Sequence, residues 1–312
     1  MDLNDKIYVA GHNGLVGSAI VRKLKELGYW NIATYSSKQY DLRIPGHVHA
    51  LFNEHAGEIK YVFLAAAKVG GIKSNSLYKG EFIYDNLMIQ NNVINAAKSN
   101  NVEKLLFLGS SCIYPKMCSQ PIKEEYLLSG YLEESNDAYA IAKIAGIKMC
   151  QSYNQQYGTN YISVMPTNLY GIGDNYHPDN SHVIPGLIRR FHEAKINKQK
   201  DVICWGDGSP MREFLFADDL ADACIFLMNN YNSSEIVNIG TGKDMNIKAL
   251  TEIIKNEVYP EANVIFNGDI KLNGTPRKVL DTTKINTLGW YPKVSFQDGI
   301  KIAYSDFLDK NL

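Results

Sequence analysis

Apolar positions fall into short continuous runs separated by longer stretches with helical spacing. Ile7–Ala10, Ile32–Tyr35, Tyr61–Ala65, Leu105–Leu108 and Tyr161–Met165 predict strands. Between them, Leu15–Leu27, Gly80–Ser99 and Ala138–Tyr157 predict helices. A strand buried on both faces reads as a continuous apolar run. Strands that alternate with helices make a parallel sheet covered on both sides. The expectation is an α/β fold with a doubly wound parallel sheet.

After Pro166 the pattern loosens. Asn168–Ser181 is rich in Gly, Asn, Asp, His and Pro and reads as a long loop. Loops of that length in a compact domain tend to be functional. Helices are predicted at Pro185–Ala194, Asp218–Met228, Ile247–Val258 and near Phe296–Leu308. Strands are predicted at Val202–Trp205, Ile236–Ile239 and Asn263–Phe266, with a turn at Gly206–Pro210. No internal repeat is visible. The second half therefore reads as a smaller lobe whose pieces interleave with the sheet.

Bulk properties narrow the class. The chain has 312 residues, 45% hydrophobic and 21% charged, with a net charge of −1. No global field attracts nucleic acid or an anionic membrane. No apolar run reaches the ~18 residues of a membrane span. The polar start at Met1–Lys6 leads straight into a strand, so no signal peptide is expected. Cys112, Cys118, Cys150, Cys204 and Cys224 are odd in number and form no CxxC pair. Reduced thiols in a cytoplasmic enzyme are the expectation. His47, His49 and His55 have no Cys or acidic cluster among them; they read as a solvated helix face, and no metal site is expected.

Gly11-His12-Asn13-Gly14-Leu15-Val16-Gly17 follows the first strand and opens a helix. Glycines there let the backbone approach a pyrophosphate, whose charge faces the helix N-terminus. Within a strand–helix–strand unit this marks a dinucleotide-binding Rossmann sheet. The second strand ends Tyr35-Ser36-Ser37-Lys38, with no carboxylate for the ribose hydroxyls of NAD. Ser36, Ser37 and Lys38 can accept a 2′-phosphate, which favours NADP. Asp41 and Leu42 come next and are candidates for contact with adenine.

Tyr139-Ala140-Ile141-Ala142-Lys143 is a YxxxK motif. Four residues are about one helical turn, so both side chains share a face. A free phenol titrates near about 10. An ammonium one turn away would lower that value and allow acid–base work near neutrality. The lysine can also hold the nicotinamide ribose. Ser110 follows the Leu105–Leu108 strand at its carboxyl end, where doubly wound sheets bind ligands. Its hydroxyl can hold a substrate carbonyl. Cys112 and His182 suit proton removal and return beside a ketone, but from spacing alone they read as a packed thiol and a loop histidine.

The motifs together resemble the GDP-L-fucose synthases, 3,5-epimerase-4-reductases of the extended short-chain dehydrogenase/reductase type. The resemblance is carried by GHNGLVGSAI at Gly11–Ile20, LAAAKVGGI at Leu64–Ile72 and KLLFLGSSCIYPK at Lys104–Lys116. It continues through YAIAKIAGIKMC at Tyr139–Cys150, SVMPTNLYG at Ser163–Gly171 and NSHVIPGLIRRFHEA at Asn180–Ala194. WGDGSPMREFL at Trp205–Leu215 and NGTPRKVLD at Asn273–Asp281 complete it. It implies that Ser110, Tyr139 and Lys143 form a reductase triad, with Cys112 as epimerisation base and His182 as acid. It implies NADP(H) held by the glycine turn, by Ala65 and Ala66, by Pro166, Asn168 and Leu169, and by His182. Arg190, Trp205, Arg212 and Lys278 are implied contacts of a GDP-linked 4-keto sugar. Residues 1–168 and 212–240 would form the NADP-binding domain, and 169–211 and 241–312 the GDP-sugar-binding domain. The resemblance also implies a homodimer that pairs the helices Gly80–Ser99 and Ala138–Tyr157.

Two departures matter. Relatives carry arginines near Asn13 and Ser37 that hold the NADP phosphate, and this chain has neither. Asn273 stands where an acidic residue is common before GTPRK. These leave open the balance of NADPH against NADH and the identity of the sugar. Two rivals remain at this level. One is a C4 reductase alone, acting on a related GDP sugar such as a 6-deoxyheptose. The other is a non-catalytic dinucleotide sensor.

Overall fold

The structure is a computed structural model that describes residues 1–270 and 273–310. In chain order the strands are β1 (Lys6–Ala10), β2 (Ile32–Ala33), β3 (Ile59–Leu64), β4 (Lys104–Leu108), β5 (Tyr161–Pro166) and β6 (Asn168–Tyr170). They continue with β7 (Asp201–Cys204), β8 (Met211–Phe216), β9 (Val237–Ile239), β10 (Asp244–Asn246), β11 (Asn263–Phe266) and β12 (Arg277–Lys278). The helices are α1 (Leu15–Glu26), α2 (Pro45–Glu54), α3 (Ile72–Leu77), α4 (Lys79–Ser99) and α5 (Asp137–Tyr157). Then come α6 (Val183–Ile196), α7 (Ala217–Asn230), α8 (Ile247–Val258), α9 (Thr283–Thr287) and α10 (Phe296–Asp309).

Six strands pair in the order β2-β1-β3-β4-β5-β9, all parallel. Side chains on a strand alternate between faces. Ile7 and Val9 of β1 join a core with α1 and α7, whereas Tyr8 and Ala10 join the opposite core with α2, α4 and α5. Both faces are thus buried, as the unbroken apolar runs require. The chain leaves β1 toward β2 on one side and returns to β3 on the other. That reversal is the switch point where such sheets open a crevice. Pairing of β2 ends at Ala33, short of Tyr35. Tyr35 leaves the sheet to pack edge-on against Tyr40, and its hydroxyl meets His55 at 2.8 Å. His47 and His49 lie on the exposed side of α2, which buries Val48, Leu51 and Phe52.

The smaller lobe is built around β8. It pairs parallel with β6 and β12 and antiparallel with β10. A separate parallel pair joins β7 to β11. Helices α6, α8 and α10 close a third core on Ile184, Phe191, Leu250, Ile254 and Phe307. The first three residues of the stretch read as a loop, Asn168–Tyr170, are strand β6. Helix α7 follows β8 without a break and packs on α1. The passage back to the large lobe thus falls at Ala217, a few residues after the boundary expected at 212. Residues 271, 272, 311 and 312 of the expected 241–312 segment lie outside the described residues. Among the described residues no helix is long and apolar enough to cross a membrane.

Candidate active site

A cleft of about 1350 Å³ runs between the lobes, across the carboxyl ends of β1, β3 and β4. Its floor at one end is the glycine turn. Gly17 opens the first turn of α1 so close to Gly11 that a Cβ on Gly17 would lie 2.1 Å from the Gly11 carbonyl oxygen. Gly14 precedes helix α1 as its cap residue, with no side-chain cap and no acidic residue in the first turn. Its first amides and positive dipole end therefore remain available to an anion. A dinucleotide pyrophosphate fits this cradle. Gly17→Ala should weaken NADPH binding by about 10–100-fold, as overpacking of a tight contact implies. Calorimetric titration of the folded variant checks this.

The reacting groups come from three elements. Ser110 follows β4 and β-extended backbone there lets its Oγ accept the Cys112 amide at 3.2 Å, capping a short helical turn at Ser111–Ile113. Tyr139 and Lys143 stand one turn apart on α5. Lys143 is 3% exposed, and its Nζ donates to the Leu108 carbonyl at 2.7 Å, above the Phe107 ring at 4.9 Å. His182 precedes α6 as its cap residue, makes no side-chain capping bond, and is exposed to the cleft.

The electrostatics correct one step of the sequence argument. Burial brings Lys143 down to about 7, so it is only partly charged at neutrality. Its Nζ turns to Leu108 and lies 5.8 Å from the Tyr139 ring centre. Burial, and then the charge of Cys112, hold the Tyr139 phenol above its ordinary value, while Ser110 opposes them. The phenol is therefore kept protonated as a donor rather than drawn toward phenolate by the lysine. Cys112 behaves the other way. Burial pushes its thiol up, but Lys278, Ser110 and Arg212 outweigh this and leave it below the usual range. The Lys278 Nζ lies 3.5 Å from the Cys112 Sγ. Desolvation between the walls of the cleft, and then Lys278, lower His182.

Cations gather at the small-lobe end. Arg190 stacks on Trp205 at 4.8 Å. Arg212 donates to the carbonyls of Met211 and Asn273 at 2.8 and 2.9 Å. Lys278 pairs in register with Arg212 across β12 and β8. Flat, fixed guanidinium groups suit a diphosphate and an aromatic base. Asn273 Nδ2 donates to Asp207 at 3.0 Å, which ties down the segment that carries it. Among the described residues no group of three His, Cys, Asp or Glu is placed to hold a metal ion.

All the residues singled out from the sequence line this cleft except Lys38. Lys38 is exposed on a turn closed by the Gln39 amide on the Ser36 carbonyl, so it does not contribute to the wall. Arg43 does line it and had not been singled out. Its guanidinium is engaged by Asp41 at 2.7 Å and Asp85 at 3.4 Å. The run Asp41-Leu42-Arg43 directly after the ribose turn was the available signal. Ser135 and Asn136, just before Tyr139, also line the cleft, and each holds one buried oxygen without a partner.

Residues 7–240 match the model of the NAD dependent epimerase/dehydratase family. The chain belongs to that family. Family relatives span it almost end to end. GDP-L-fucose synthase 1 of Arabidopsis thaliana is 53% identical over 98% of this chain and 94% of its own length. GDP-L-fucose synthase of Escherichia coli (strain K12) is 49% identical over 97% of each. Among solved structures, the GDP-mannoheptose C4 reductase of Campylobacter jejuni with NADP bound superposes with a TM-score of 0.89. It shares 39% identity over 99% of each chain. With these full-length likenesses, the chain stands among the NADP(H)-using oxidoreductases built on a Rossmann sheet.

Proposed function

We propose that the chain converts a GDP-linked 4-keto-6-deoxy sugar by epimerisation at C3 and C5 and reduction at C4, as in GDP-4-keto-6-deoxymannose to GDP-L-fucose. The observation that carries this reading is the Cys112 sulfur under the Lys278 ammonium, beside Ser110 and Tyr139, with His182 facing the same cleft. A reductase alone needs no activated thiol there. Relatives about half identical over the whole chain and named GDP-L-fucose synthases support the same reading.

In this scheme Arg190, Trp205, Arg212 and Lys278 hold the GDP sugar. Protons beside a ketone are acidic because the resulting anion is an enolate. Cys112, as thiolate, removes the proton from C3 and then C5, and His182 returns one to the opposite face. NADPH, when bound, supplies the hydride for C4. Ser110 holds the carbonyl oxygen and Tyr139 gives it the proton. Lys143 fixes the nicotinamide ribose, while Pro166, Asn168 and Leu169 line its ring; the turn residues Asn13, Ser37, Asp41 and Leu42 serve the adenosine end. Residues 1–168 and 217–240 act as the cofactor domain and the remainder as the sugar domain. We further infer a cytoplasmic homodimer. Five free cysteines suit a reducing compartment. Exposed Tyr84 on α4 and Ile141 and Tyr157 on α5 supply apolar surface for pairing.

A C4 reductase acting on a GDP-heptose is the second reading, favoured by the likeness to the Campylobacter reductase. One experiment separates them. Incubation with GDP-4-keto-6-deoxymannose in D₂O, with NADPH and NADH in parallel, should give product carrying deuterium at C3 and C5 by NMR. Reduction without deuterium leaves a reductase only. No oxidation of either cofactor removes both readings.

A further inference from the structure

Glu213 follows Arg212 on β8 and points the other way, into the seam between the lobes. It is fully buried, at 0% exposure. Its Oε1 accepts the amides of Thr241 and Gly242 at 2.5 and 2.7 Å, and its Oε2 accepts the amide of Leu280 at 2.9 Å. With the Thr241 hydroxyl at 3.4 Å, three backbone amides and one hydroxyl face it, a donor set that suits the ionised carboxylate. Burial holds its pKa above the ordinary value, against the amides of Leu280 and Gly242, the Thr167 side chain and the Thr241 amide. A side chain at Gly240 would put a Cβ 2.2 Å from Oε1, which explains the glycine there.

These bonds reach the reacting centre. Leu280 lies two residues after Lys278, and Lys278 is the residue over the Cys112 sulfur. The same segment grips the loop that follows Cys112: Ile122 donates to Val279 and Asp281 donates to Ile122, both at 2.8 Å. The backbone carbonyl of Glu213 accepts Thr167 Oγ1 at 3.2 Å and Asn168 Nδ2 at 2.7 Å, which joins β6 to the same point. One buried carboxylate therefore ties together the strand of Arg212, the segment of Lys278 and the end of β9.

We propose that Glu213 is a positioning residue whose carboxylate clamps the Lys278 segment and so keeps that ammonium over the Cys112 sulfur. The charged and titratable groups around the sulfur are Lys278, Arg212 and Tyr139, with Ser110 as hydrogen-bond partner. Lys278 contributes the largest lowering of the thiol among them. Its position is thus what a loosened clamp changes first. The catalytic consequence rests on the reading of Cys112 as a base, but the clamp itself does not.

Glu213→Gln is the discriminating change. Its carbonyl can keep the Thr241 and Gly242 amides, but its amide group then faces the Leu280 N–H, donor against donor. The pH dependence of Cys112 alkylation by iodoacetamide, followed by peptide mass mapping, reads the effect. The midpoint should rise by on the order of one pH unit, the scale of a lost neighbouring charge, with NADPH affinity within about twofold of wild type. Lys278→Met should raise the midpoint alone, and adding Glu213→Gln to it should move it no further. An unchanged midpoint in folded Glu213→Gln, or additive shifts in the double variant, overturns the clamp. If Glu213→Gln does not fold, Glu213→Asp keeps the charge and shortens the reach; an unmoved midpoint there overturns it equally. Absence of deuterium exchange in the wild type would instead defeat the epimerase reading and leave the clamp standing.

Discussion

Tyr139→Phe should slow C4 reduction by about 10²–10⁴-fold, the usual contribution of a positioned acid. The ring keeps its edge-on contact with Phe82 on α4, at 6.4 Å between centres, so the fold is not disturbed. What is lost is the proton that burial and the nearby thiol retain on the phenol. Single-turnover NADPH oxidation reads the loss. Deuterium should still enter C3 and C5, because Cys112 and His182 are untouched. Reduction within about tenfold of wild type would remove Tyr139 as the donor.

Cys112→Ser should slow solvent deuterium incorporation at C3 and C5 by about 10²–10⁴-fold. A thiol has a reference pKa of about 8.5, and here Lys278 and Arg212 help hold it below its usual range. A serine hydroxyl is far more basic and stays protonated beside the same cations. NADPH oxidation should continue, giving a C4 alcohol with C3 and C5 as in the starting sugar. Product with both centres inverted would exclude Cys112 as the base.

The large lobe was legible because its strands are buried on both faces. Ile7–Ala10, Leu105–Leu108 and Tyr161–Met165 are unbroken apolar runs, and β1, β4 and β5 extend them by a residue at most. The smaller sheet was hidden for the opposite reason. Strand β8 carries Arg212 and Glu213 in its first half, and a charged pair argues against a buried strand. The carboxylate is tolerated only because amides from residues 241, 242 and 280 reach it, and such distant partners leave no local trace. β6, β10 and β12 are two or three residues long, too short for a periodic signal.

The site followed the same division. The glycine turn and Ser110, at the ends of large-lobe strands, and the YxxxK pair on α5 were picked out from motif and position taken together. Cys112, His182 and the four implied sugar contacts needed the family resemblance, since their neighbours come from other elements. Of the two roles given to Lys143, the lowering of the phenol finds no support in the geometry, for a physical reason. Helical spacing brings two side chains to one face, but it does not say which acceptor an ammonium chooses. The Leu108 carbonyl lies closer than the phenol and takes it.

The elements around the cleft divide the proposed chemistry unevenly. Ser110, Tyr139 and Lys143 sit on the end of β4 and on α5, joined by the bond from Lys143 to the Leu108 carbonyl. The sulfur of Cys112 depends instead on Lys278 of β12 and faces His182 at the start of α6. A shift of β12 or α6 leaves the proton donor and its carbonyl partner together, yet strips the sulfur of its cation or of its opposing imidazole. In the proposed reaction, stereochemical inversion is thus the fragile half and ketone reduction the durable half.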